Sequence, residues 1–192
     1  MAAQDVLDFW FLPRTAEGFG RERPEWFRKD AAFDAQIRER FGALIEQAVS
    51  GGLREWDAQG PRGTLARIIL LDQFTRNTGR DTPAAFAGDA LALACAQQLV
   101  AGGADRSLIP VERWFAYMPF EHAEDAAMQA QSIDLFTALA EQAPGFGGVL
   151  DYAHRHRGVI ARFGRFPHRN AILGRASTPE ELDYLAQPGS GF

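Results

Sequence analysis

Three segments of this sequence gather side chains that can move protons or hold charge. Glu121-His122-x-Glu124-Asp125 sets a histidine among three carboxylates, and Asp72-Gln73-x-x-Arg76-Asn77 lines up a carboxylate, two amides and a guanidinium. His156 is followed by Gly164-Arg165-Phe166-Pro167-His168-Arg169-Asn170, a turn crowded with donors. A histidine beside a carboxylate is the pairing used for general acid–base catalysis, because the carboxylate fixes the ring and its tautomer and leaves the second nitrogen to take or give a proton. Arginine suits another task, since its planar fork receives a carboxylate or phosphate through two parallel hydrogen bonds.

Two functions of different class fit these groups. In one, the chain binds an anionic small molecule or a peptide carboxylate in a cleft. Arg76, Arg165 and Arg169 receive the charge; Gln73, Asn77, Glu124, His168 and Asn170 complete the polar wall; Trp114 and Phe166 pack the rest. In the other, the chain is a hydrolase-like enzyme in which His122 or His156 is the general base, Glu121 or Asp125 orients it, and the arginines stabilise an oxyanion. No nucleophile elbow, phosphate-binding glycine loop or dinucleotide fingerprint is present. A metal would have to draw on His122, Glu121 or Asp125, and His156, but the surrounding arginines repel a cation, so neither a metal nor another cofactor is expected. A purely structural alternative stands beside both functions. Buried donors need acceptors, and Arg76 follows Asp72 by four residues, the favourable order for an ion pair.

Charge is distributed unevenly enough to matter. Residues 1–151 hold 22 acids against 14 basic residues, whereas residues 152–178 hold six Arg, three of the four His and no acid. That basic block is either an anion site or the partner of carboxylates elsewhere in the domain. Nucleic acid is not an expected partner, because the chain is acidic overall, with a pI near 5.4, and Lys29 is its only lysine. Asp5 and Asp8 interrupt the first apolar stretch, and the longest apolar runs are too short to span a bilayer, so a cytoplasmic protein without a membrane partner is expected. Cys95 is alone and lies among Leu91, Ala92 and Leu99 at helical spacing, as a small buried hydrophobe would. A homodimer through aromatics exposed at the ends of the fold is compatible with the composition.

Positioning these groups requires helices, because no run of alternating β-branched residues occurs. A short amphipathic start (Val6, Leu7, Phe9, Trp10, Phe11) ends at Pro13. A long helix over 30–50 buries Phe33, Ile37, Phe41, Leu44, Ile45 and Ala48, and Gly51-Gly52 stop it. Further helices are predicted from Thr64 to Asn77, from Thr82-Pro83 to Gly102, from Pro110, from Pro119 to Gln142, from Gly148 to Phe163 and from Pro179 to Ala186. Thr178 and Glu181 are spaced as a capping box for the last. Helices joined by short turns pack as antiparallel neighbours, so residues 1–192 read as one all-α domain of stacked antiparallel helix hairpins. In that arrangement Arg76, Arg165 and Arg169 are expected to meet His122 and His156 in one cleft, with Asp125 on the face of Glu121.

Gln73-Phe74-x-Arg76-Asn77, Met118-Pro119-Phe120-Glu121-His122-x-Glu124-Asp125 and Phe163-Gly164-Arg165-Phe166-Pro167-His168-Arg169-Asn170, with Leu173-Gly174-Arg175, resemble the bacterial family catalogued as domain of unknown function 924. The resemblance runs from Asp8-Phe9-Trp10-Phe11 to the closing Phe192. Ala123 departs from it, since Ser is expected there. The resemblance implies a tetratricopeptide-like superhelix and no established activity. It also implies that Gln73, Arg76, Asn77, Glu121, His122, Glu124, Asp125, His156, Arg165, His168, Arg169 and Asn170 carry whatever the family does.

Overall fold

Proline, glycine and aspartate set most of the helix boundaries. The computed structural model describes residues 2–191, so the closing Phe192 of the resemblance lies outside the described residues. Among the described residues 71% are helical and no strand occurs, so the fold is all-α. Its α-helices are α1 (Ala3–Phe11), α2 (Ala31–Val49), α3 (Pro61–Ile68), α4 (Thr75–Thr78), α5 (Asp89–Ala101), α6 (Pro110–Glu121), α7 (Ala126–Gln142), α8 (Gly147–Phe163) and α9 (Pro179–Leu185).

Local chemistry accounts for both ends of α2. The Asp30 side chain accepts from the backbone N–H groups of Ala32 and Phe33, which satisfies two donors that a helix start leaves orphaned. Phe33, Ile37, Phe41, Ile45 and Ala48 recur at helical spacing and are buried. Gly51, at φ 83°, turns the chain out of the helix.

The centre of the fold is α3 together with its continuation. From Pro61 the chain stays helical through α3, a π-helical segment over Ile69–Phe74, and α4. Every residue from Leu65 to Phe74 is buried. This run packs against α1, α2, α5 and α6, which is why it is apolar on more than one side. The wider π turns displace carbonyls from ordinary helix bonding, and side chains take some of them. The Thr75 hydroxyl donates to the Leu71 carbonyl at 2.7 Å, and Arg76 donates to the Asp72 carbonyl at 2.6 Å. On one flank, Phe9, Trp10, Trp26, Phe33, Phe41, Phe74 and Phe115 interlock edge to face or stacked. Each such buried ring contributes about 1.5–3 kcal/mol through surface removed from water. Trp114 belongs to this flank, its ring 5.1 Å from Phe27, and so does not line the polar cluster.

Two helices predicted from sequence are broken. Between Thr82 and Gly102, a 3₁₀ turn over Pro83–Phe86 precedes α5, which starts only at Asp89. Gly88, between the two, abuts the π segment so closely that a Cβ there would lie 2.1 Å from the Leu71 carbonyl oxygen. The stretch Pro83–Ala101 is apolar enough by length and composition to cross a membrane, yet here Ala92, Cys95, Ala96 and Leu99 turn into the core. The second break corrects the helix expected from Pro119. Pro119 lies inside α6, which ends at Glu121, and Asp125 opens α7 by accepting from the N–H groups of Ala127 and Met128. Gln129, fully buried, spans the gap by donating to the carbonyls of Glu121 at 2.6 Å and Ala123 at 2.9 Å. The chain then descends through α7 and returns along α8, and the two pack against each other.

Candidate functional site

The π segment presents Asp72, with no exposed surface, to the break between α6 and α7. Its carboxylate accepts from Gln73 at 2.6 Å and from Arg76 at 3.1 Å, and lies 2.7 Å from Nδ1 of His122. Burial alone would raise its pKa, but Arg76, His122 and Gln73 outweigh that and hold it well below the usual carboxylate range. An ionised carboxylate can only accept, so Nδ1 of His122 carries a proton and donates. That leaves Nε2 with a lone pair. Burial, and then the Arg76 charge, push His122 below its ordinary 6.5 against the pull of Asp72, so the ring is neutral at pH 7.

A second histidine repeats the arrangement from the opposite side. Nδ1 of His156, on α8, lies 2.9 Å from the Tyr152 carbonyl and 2.7 Å from Oε1 of Glu121, in the last turn of α6. A carbonyl can only accept, so Nδ1 is again the donor. The two imidazoles stand with ring centroids 6.1 Å apart. Tyr152, one turn before His156 on α8, is 54% exposed.

Charge around the histidines is balanced by Asp89, the first residue of α5. Arg76 grips it through both nitrogens at 3.0 and 3.2 Å, and Arg169 reaches the same carboxylate at 3.2 Å. Arg169 also donates to the His122 carbonyl at 3.0 Å. Its guanidinium is held between the rings of Phe86, at 4.7 Å, and Phe166, at 4.6 Å. Burial and the nearby Arg76 lower its pKa to about 10, which leaves it cationic at neutral pH. Its Nε–H is buried with no acceptor among the described residues. His168 is pushed down to about 4 by burial, Arg169 and His156, and is therefore uncharged at pH 7.

Of the residues expected in the cleft, Gln73, Arg76, Glu121, His122, His156, His168 and Arg169 come together. The others go elsewhere. Arg165 takes Glu181 through two bonds at 2.7 and 2.8 Å, and so does not join Arg76 and Arg169. Asn170 donates to Ser177 and Glu181, and Glu124 accepts from Arg175 at 2.6 and 2.8 Å and from the Phe166 N–H. These contacts shape the turn that carries His168 and Arg169. Asn77 donates to Asp34, which Arg80 shares, and ties α4 to α2. Asp125 is the exposed cap of α7, a turn beyond Glu121, and does not orient either histidine. Three residues of the cluster carry little signal in the sequence. Asp72 stood only as an ion-pair partner of Arg76, although a carboxylate on a helix apolar on two sides has to serve a buried donor. Asp89 and Phe86 carried no signal, since packing across the fold brings them in.

The model of a family described as bacterial protein of unknown function matches residues 6–189. Among solved structures, a protein of unknown function from Agrobacterium tumefaciens is similar at 40% identity and a TM-score of 0.83, over 96% of each chain. Among curated proteins there is no match. With its motifs and nearly its whole length inside that family model, the chain belongs to the bacterial family of domain of unknown function 924.

Proposed function

We propose that the protein is a hydrolase-like acid–base catalyst, with His122 and His156 as its proton-transfer groups. One observation carries this: two imidazoles stand 6.1 Å apart, each with Nδ1 beside a buried carboxylate, the pairing that readies Nε2 for proton transfer. Neutral His122 takes a proton from water as the water oxygen bonds to an acyl carbon. Asp72 stays ionised and steadies the imidazolium so formed. The Nε–H of Arg169, which lacks an acceptor, would donate to the oxyanion. As the acyl carbon–oxygen bond to the leaving group breaks, the imidazolium returns its proton to the departing oxygen. His156 supplies the second imidazole beside the reacting water.

A simple trap for anions has weaker support at this site, because Arg76 and Arg169 already hold Asp89 and Arg165 holds Glu181. A tetratricopeptide-like superhelical stacking of the hairpins belongs to the same proposal, supported by the packing of α5 on α6, α6 on α7 and α7 on α8. The test is turnover of a panel of p-nitrophenyl esters with neutral and acidic acyl groups. Wild-type protein should hydrolyse at least one, and His122→Gln should lower kcat about a hundredfold or more with the helical circular dichroism unchanged. Absence of turnover across the panel, or equal turnover by the Gln variant, would contradict the proposal.

A further inference from the structure

Of the six arginines in the basic block, three have carboxylate partners, and Arg155, Arg157 and Arg162 have none among the described residues. Arg165, Arg169 and Arg175 pair with Glu181, Asp89 and Glu124. Arg155 and Arg162, both exposed on α8, have neither a carboxylate nor another hydrogen-bond acceptor among the described residues; Arg155 lies over the Tyr152 ring at 5.2 Å and Arg162 over the Phe163 ring at 4.6 Å. Seven residues is close to two helical turns, so both project from one face of α8, about 10 Å apart along its axis. Between them lies a cleft of about 290 Å³ whose floor is Gly158, Val159 and Phe163, with Tyr184 of α9 as its wall.

Gly158 is the unexpected member. A glycine inside a helix is less favourable than alanine, and one is usually tolerated for a positive φ or a close packing contact. Neither applies here, because its φ is not positive and a Cβ built on it would meet no atom within 4 Å. What the glycine does is keep the floor between the two arginines bare.

We propose that this cleft binds a small organic dianion, with an apolar body lying along Val159, Phe163 and Tyr184 and an acidic group at each end for Arg155 and Arg162. A guanidinium that the protein itself does not neutralise is free to take a carboxylate bidentately. The span between the two sets the length of the ligand, and a monoanion would leave one arginine unused. No residue is shared with His122, His156 or Arg169, so this site stands independently of the acid–base proposal.

Isothermal titration of the full chain with azelate, a nine-carbon dicarboxylate, tests it, with nonanoate as the single-headed control. Azelate should bind at about millimolar concentration or below, and about tenfold or more tighter than nonanoate. Arg155→Gln and Arg162→Gln should each weaken azelate by a similar factor. Gly158→Leu, which fills the floor and improves helix propensity, should abolish binding while melting no lower than wild type. Azelate that fails to bind, binds no better than nonanoate, or binds the Gly158→Leu protein as well as wild type would overturn the proposal. If Gly158→Leu does not fold, the two Arg→Gln variants decide, since both positions are exposed and their only contacts are with the rings of Tyr152 and Phe163, at the surface of α8.

Discussion

Asp72 is ionised without any exposed surface, a state that survives in a protein interior only where donors surround the charge. Gln73, Arg76 and His122 provide them, and the wider cluster balances Arg76 and Arg169 against Asp72 and Asp89. Arg169 is the residue on which this balance turns. It links α5 to the His122 carbonyl and fills the gap between Phe86 and Phe166. Arg169→Ala removes all of that, but Asp89 keeps Arg76. The cost should therefore fall at the low end for a broken buried pair, about 3 kcal/mol, seen as a lower urea midpoint with an unchanged m-value. A loss within about 0.5 kcal/mol of zero would mean that the guanidinium bears no structural load.

At the scale of elements, the π segment and the start of α5 act as one unit. The π turns aim Asp72 and Gln73 toward α6, and Gly88 lets α5 begin close enough for Asp89 to meet both arginines. Adding a methyl group there forces the Leu71 backbone to move, because the nearest atoms are main chain and cannot rotate away. Gly88→Ala should cost about 1–3 kcal/mol in urea unfolding, although alanine is the better helix former. Stabilisation by this substitution would show that α5 is free to shift. The gap between α6 and α7 depends on a different device, the Asp125 cap and the Gln129 amide beneath it. Together they set the backbone on which Glu121 and His122 sit.

For the molecule as a whole, legibility in the sequence tracks the range of the forces involved. The limits of α2 and the Thr178–Glu181 box of α9 were legible because the capping groups lie within three residues of the groups they cap. The end of α6 was not, since a proline inside a helix and a proline opening one look alike, and only the Asp125 cap decides between them. Nor could the arginines be sorted by type: Arg165 finds Glu181 16 residues away, while Arg169 finds Asp89 80 residues away. Histidine protonation also acts on the whole fold. Burial lowers the pKa of His122 and His168 in the folded state, so the unfolded chain takes these protons first as pH falls. Their contribution to stability is complete above about 6.5 and is lost as pH drops through that value toward the folded value of about 4 for His168. The most direct measurement of the central claim is a ¹⁵N NMR titration of the histidine side chains. We expect His122 at pH 7 to be neutral, with Nδ1 protonated and Nε2 bare, and to charge only below its ordinary 6.5, and His168 to charge near 4. A proton on Nε2 of His122 at pH 7, whether as the other tautomer or as imidazolium, would contradict it.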